Sequence, residues 1–179
     1  MSLESFETQV EMVRAEATTA IKNYTALRDQ IDQDPKLTDE GKREAHGALF
    51  EDYKPRLKEL RTQEETHLDQ AIERRLSLIE SPNGLSTGEV ISFRDAQDRA
   101  ERIENADEAV RLLERALRQH DKILAHAILR VGLDKNYRNV VDAFTAKRPE
   151  MKETISELRQ LEKLRENSFA RTMHYGLSR

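Results

Sequence analysis

Between Phe6 and Ile31 one set of apolar residues falls on a single stripe. Phe6, Val10, Val13, Ala17, Ala20, Tyr24, Leu27 and Ile31 are separated by alternating steps of four and three. A strict seven-residue repeat has a period of 3.5, the spacing of a left-handed coiled-coil seam. The pattern predicts a helix from Leu3 to Asp32. Its stripe is too thin for the interior of a globular core, so it needs partner helices, and Ala17 and Ala20 let a partner approach closely. Pro35 stops the helix and pushes Asp34 out of the α region. Thr38 is a good N-cap for the next helix, with Asp39 and Glu40 favourable in its first turn. So short a connection makes antiparallel neighbours.

The second helix reads from Asp39 to Glu80. Leu57, Leu68 and Ile79 are eleven apart, as are Leu49, Leu60 and Ala71, a spacing that gives a nearly straight or slightly right-handed path. Pro55 lies inside it. With no Gly or Asn beside it, the reading is a kinked helix, and a break between Tyr53 and Pro55 is the alternative.

The stretch SPNGLSTGE is the clearest boundary in the chain. Pro82, Asn83 and Gly84 form turns, and Ser86 with Glu89 makes a capping box. A third helix follows to Glu104, with Val90, Phe93, Ala96, Ala100 and Ile103 on one face. Asn105 with Glu108 starts a fourth, which carries Ala109, Leu112, Leu113, Ala116 and Leu117. KILAHAILRVGL is apolar almost all round, as a buried helix is, and is expected at the centre of the core. Then come Tyr137, Val140, Val141 and Phe144, with Pro149 as a stop. A last helix from Glu150 to Ala170 uses Met151, Ile155, Leu158, Leu161 and Leu164. Gly132 and Gly176 each read as a helix end. No segment alternates with period two. The expected fold is therefore all-α: a helical hairpin arm over 1–80, a compact helical bundle over 81–149, and a C-terminal helix and tail over 150–179.

Composition narrows the function. Charged residues are 36% of the 179, with both signs interleaved, as suits solvated helices. Residues 1–80 carry 12 basic and 18 acidic side chains (net −6), and residues 147–179 carry 8 and 5 (net +3). No segment has the dense basic face that nucleic acid requires. The helix with Arg94, Arg99 and Arg102 also carries Asp95, Asp98, Glu101 and Glu104, which repel phosphate. Cysteine is absent, which excludes disulfides, thiolate metal sites and cysteine nucleophiles. MSLESFETQ has no apolar run, and no stretch approaches the length that spans a membrane. The expectation is a cytoplasmic protein at synthesis, with no membrane partner.

Candidate chemistry is sparse. His46, His67, His120, His126 and His174 include no pair three or four apart, as metal-binding pairs on one helix face are. Glu64 and His67 make one Glu-x-x-His, half of what a ferritin-like di-iron site takes from its helices, and there is no second copy. His67 reads better as a residue at the seam edge. No G-x-S-x-G, P-loop or G-x-G-x-x-G occurs. No catalytic residue, metal or cofactor is expected, and the protein is not read as an enzyme.

LAHAILRVGLDKNYRNVVDAFTAKRPE looks like a tetratricopeptide hairpin. Ala127, the turn GLDKN, Val140, Val141, Ala143, Phe144 and Pro149 stand where that repeat places small, apolar and proline residues. No second copy follows, so this is repeat-like packing and not an array.

In the last residues, Phe169, Met173, Tyr175 and Leu177 are large and apolar, with Arg171 and His174 among them and no acid after Glu166. A free terminal segment is usually small and polar. One reading folds Phe169 and Tyr175 back onto the chain's own bundle. The other docks Phe169, Arg171, Met173, Tyr175 and Leu177 on a protein partner, with apolar anchors in pockets and arginine on an acidic rim.

Two stretches, LTDEGKREAHGALFEDYKPRLKEL and ISFRDAQDRAERIENADEAVRLLERALRQHDKILAHAIL, resemble small helical proteins encoded among the virion genes of tailed phages of actinobacteria. The resemblance lies in helix caps and Leu/Ala spacing and brings no catalytic residues. It implies a structural or assembly role in a virion, with the chain itself or a virion protein as partner, in a homo-oligomer or larger assembly. The alternative is a cytoplasmic adaptor that binds a partner protein through its tetratricopeptide-like bundle.

Overall fold

The computed structural model describes residues 3–80 and 87–178. Among them are eight α-helices and no strand: α1 (Leu3–Gln33), α2 (Asp39–Glu80), α3 (Thr87–Glu101), α4 (Ala106–Arg118), α5 (Lys122–Asp134), α6 (Arg138–Lys147), α7 (Lys152–Glu166) and α8 (Ser168–Met173), with a 3₁₀ turn at Pro149–Met151. The fold is all-α, and α1 and α2 pack together. The turn expected at Pro82–Gly84 and the Ser86–Glu89 capping box lie outside the described residues or their described side chains.

The chain forms two compact units, one of Met1–Ile72 with Leu161–Arg179, the other of Glu73–Gln160. The expected boundaries at residues 80 and 149 are not where contacts divide. The division falls inside α2 and inside α7, because the end of α7 and all of α8 join the hairpin while the last two turns of α2 join the bundle.

In the first unit the hairpin closes through local chemistry. Asp34 Oδ1 accepts from the Lys36 amide, and Thr38 Oγ1 accepts from the Gly41 amide as the N-cap of α2. Across the seam, Asp32 pairs with His46, Glu16 with Arg56 and Arg14 with Glu64. Partner numbers rise on α2 as they fall on α1, so the helices are antiparallel. Phe6, Val10, Val13, Ala17, Ala20 and Tyr24 are buried. Val13, Ala17 and Ala20 pack with Leu57 and Leu60, where complete burial of each leucine is worth about 1.5–3 kcal/mol. Leu27 and Ile31 complete the stripe in sequence but not in burial, since Leu27 is exposed and Ile31 half-buried. α2 runs unbroken through Pro55, which is exposed.

In the second unit α5 is the centre, as its all-round apolar sequence predicts. It packs on α3, α4 and α6, and Leu124 through Leu129 are all buried. Asn105 Oδ1 caps α4 by accepting from the Glu108 amide, and Glu108 reaches back to the Glu104 amide. Both α4 and α5 end in Schellman turns with a non-glycine residue in the left-handed position. His120 has φ 57° and Asn136 has φ 55°. The Asp121 amide donates to the Ala116 carbonyl, and the Tyr137 amide to the Gly132 carbonyl. Gly132 is therefore inside α5 and is not its cap. Its role is close approach, because a Cβ there would lie 2.7 Å from Val140 Cγ1 on α6.

The final helix is not continuous. Pro149 opens a 3₁₀ turn in place of an α-helical start, and Asn167 separates α7 from α8. Asn167 has φ −81° and ψ 52°, outside the helical region, as suits an asparagine in a turn.

Candidate interaction site at the C-terminal segment

Glu64 is the buried anomaly of the first unit. It stands on the apolar stripe of α2 between Leu60 and Leu68 and is 3% exposed. A lone buried carboxylate is costly, and this one is fully engaged. Arg14 grips it bidentately, Nε to Oε2 at 2.9 Å and Nη2 to Oε1 at 2.7 Å. The Tyr175 hydroxyl donates to Oε2 at 2.5 Å. Burial pushes the Glu64 carboxyl up, but the bonds from Arg14 and Tyr175 outweigh it and hold the group below its ordinary range. The same contact raises Tyr175, by burial first and then by the negative neighbour, so the phenol stays protonated and donating.

This contact anchors the last residues of the chain. Tyr175 is buried and joins the cluster of Val13, Ala17, Ala20, Leu57 and Leu60, with Leu177 packed against it. Beyond it the Ser178 carbonyl accepts from the Tyr24 hydroxyl at 3.1 Å and from Arg28 Nη1 at 2.9 Å. Tyr24 in turn lies 5.6 Å from the Tyr53 ring, centroid to centroid. A two-helix seam leaves one side open, and residues 175–178 close it as far as Tyr24 and Arg28. Leu27 and Ile31 are not part of the Tyr175 cluster, and they stay exposed and half-buried respectively.

The five residues marked by the sequence as a docking segment therefore separate. Tyr175 and Leu177 face inward. Phe169 and Met173 are 76% and 68% exposed. Arg171 is half-buried, and its Nη2 donates to the Arg165 carbonyl at 2.9 Å, tying α8 to the end of α7. Phe169 and Met173 are four apart on α8, so they share a face. Leu164 at the end of α7 is also exposed.

The histidines do not converge. Among the described residues no group of three or more His, Asp or Glu side chains could hold a metal ion. The Glu64 of the Glu-x-x-His is committed to Arg14 and Tyr175, so it is a structural carboxylate. Sequence reading missed it because a glutamate in a charge-rich helix looks solvated. The available signal was position, since Glu64 falls four residues after Leu60 and four before Leu68. Among the described residues no helix is long and apolar enough to cross a membrane.

These features define an all-α protein with an antiparallel helical hairpin strapped by its own C-terminal segment, and a second unit built around a buried helix. No protein-family model, curated protein or solved structure matches the chain.

Proposed function

We propose that this is a non-enzymatic structural or assembly protein, a component or assembly factor of a tailed-phage virion, which acts through helix–helix contacts. The observation that carries the interaction role is the Phe169–Met173 face. Single exposed apolar residues are ordinary on any surface. Here two large ones share a face of a short helix held in place by Tyr175 and Ser178, and an anchored apolar pair is a pre-ordered docking element. The partner is a second copy of the chain or another virion protein. The charge asymmetry fits the first, since the basic residues 147–179 would meet the acidic residues 1–80 of a neighbour. The virion setting is supported by the sequence resemblance.

The test is the double variant Phe169→Ser/Met173→Ser. Helix content and melting temperature should match the parent, while light scattering at micromolar concentration should show self-association lost, or particle incorporation should fail. If association and incorporation both survive, the face is not the attachment point. Mass spectrometry of purified particles that finds no trace of the chain would overturn the virion setting.

A further inference from the structure

In the second unit a pocket of about 660 Å³ opens where the C-terminal ends of α4 and α6 meet the start of α5. Its apolar wall is made of Ala116, Ala125, Ala143 and Ala146, together with Leu117 and Phe144. Its rim is basic, with Arg118, Lys122, Lys147 and Arg148 set against Glu114 and Asp121. The two acids are both engaged. Asp121 caps α5 by accepting from the Leu124 amide, and Glu114 lies 3.7 Å from Arg118. Arg148 pairs with Glu150 at 2.6 Å. Lys122 and Lys147 are both exposed and, among the described residues, make no ion pair. Helix dipoles favour a cation at the end of α4 and of α6. They do not account for Lys122, which stands at the positive end of α5, nor for a hollow lined by alanines.

His126 supplies the second observation. It is 5% exposed, lines the pocket and packs edge-on to Phe144. Its Nδ1 donates to the Ile79 carbonyl, which fixes the tautomer. A carbonyl can only accept, so Nδ1 carries the proton and Nε2 is left with a lone pair. No protein donor satisfies that lone pair among the described residues, and Nε2 is not among the atoms sealed from solvent. The pocket thus offers an apolar wall, one open acceptor on a largely buried histidine, and unpaired cations at the mouth. Its volume lies within the roughly 300–1,000 Å³ of ordinary ligand sites.

We propose that this pocket binds an acidic peptide segment, with an apolar side chain against Phe144 and the alanines, a backbone N–H donating to His126 Nε2, and carboxylates at Lys122 and Lys147. A simple anion would satisfy the lysines but leave the alanine wall and the histidine acceptor unused. The proposal is independent of the Phe169–Met173 face, because the two involve different residues and each test leaves the other intact.

The probe is a fluorescently labelled peptide alternating Glu and Leu, titrated against the full chain by anisotropy. Binding is expected, with affinity falling about tenfold or more in Lys122→Glu/Lys147→Glu, because two attractive pairs become repulsive. Arg138→Glu changes an exposed charge outside the pocket and should leave binding unchanged. Ala143→Phe should fill the hollow and also weaken binding. Circular dichroism checks that each variant is folded. No binding by the parent, equal loss in Arg138→Glu, or full displacement of the peptide by millimolar inorganic phosphate would each overturn the proposal. The first would show no site, the second unspecific charge attraction, and the third an anion site.

Discussion

Tyr175 donates a 2.5 Å hydrogen bond to Glu64, a residue 111 positions earlier in the chain. That bond joins the end of the described chain to the middle of α2 and places a phenol in the seam of the hairpin. Glu64 accepts from Arg14 as well, so three chain segments meet on one carboxylate. A hydrogen bond to a charged group is worth about 1.5–3 kcal/mol. Tyr175→Phe keeps the ring in the cluster and removes only the hydroxyl. It is expected to destabilise the chain by about that amount, seen as a lower urea midpoint with an unchanged slope. Phe169→Ser, at an exposed site, should change the stability by no more than about 0.5 kcal/mol. If Tyr175→Phe matched the parent, the C-terminal segment would not be held by this contact.

The same carboxylate gives the hairpin an acid limit. The folded pKa of Glu64 is lowered, so the stability it contributes is present above the ordinary carboxylate value of about 4.3 and is lost as pH falls through the lowered folded value. Tyr175 is shifted up, so its contribution is complete below about pH 10 and is lost as pH rises beyond that. Urea melts of the parent and Glu64→Gln at pH 7 and pH 3 check the first. The parent should be the more stable at pH 7, and the gap should narrow at pH 3. A gap that stays constant would mean that Glu64 does not titrate with folding.

Much of the fold was legible because its signals are local. The four-three stripe of α1, the stop at Pro35, the Thr38 cap, the Asn105–Glu108 box and the all-apolar α5 each depend on neighbours within a turn or two. What could not be read depends on distant partners. Glu64 looks solvated until Arg14 and Tyr175 are placed beside it. Phe169 and Tyr175 look alike in sequence, yet only Tyr175 is buried, because only its position brings the ring onto Val13, Leu57 and Leu60 with the hydroxyl at Glu64. Gly132 reads as a helix end, and only the packing of α6 shows that its missing side chain makes room for Val140. The pocket is a property of three helix ends together, and no single segment announces it.

The seam itself can be probed by neighbouring residues. Val13 is 8% exposed and packs with Ala17, Leu57 and Leu60, whereas Met12 is 68% exposed. Val13→Asp places an unpaired charge in the helix contact and should cost about 3 kcal/mol or more, enough to lose the cooperative melt. Met12→Asp should be nearly neutral. Equal effects at the two positions would show that α1 does not bury this stripe against α2.

Two opposed effects meet at Gly132. In the interior of a helix, alanine is favoured over glycine by about 1 kcal/mol. Against that, a Cβ at this position would lie 2.7 Å from Val140 Cγ1 and 3.0 Å from Val140 Cβ. Val140 is fully buried and β-branched, so its χ1 is stiff and it cannot swing aside. Overpacking of this kind costs about 1–3 kcal/mol, which exceeds the propensity gain. Gly132→Ala should therefore lower stability by about 1 kcal/mol, a fall in melting temperature of roughly 2–4 °C for a chain of this size. The double variant Gly132→Ala/Val140→Ala separates the causes. It removes the 2.7 Å contact but keeps Val140 Cβ, so the cost of adding the methyl should shrink when measured in the Val140→Ala background. If Gly132→Ala instead raised the melting temperature in the parent, α5 and α6 would not approach as closely as the structure shows.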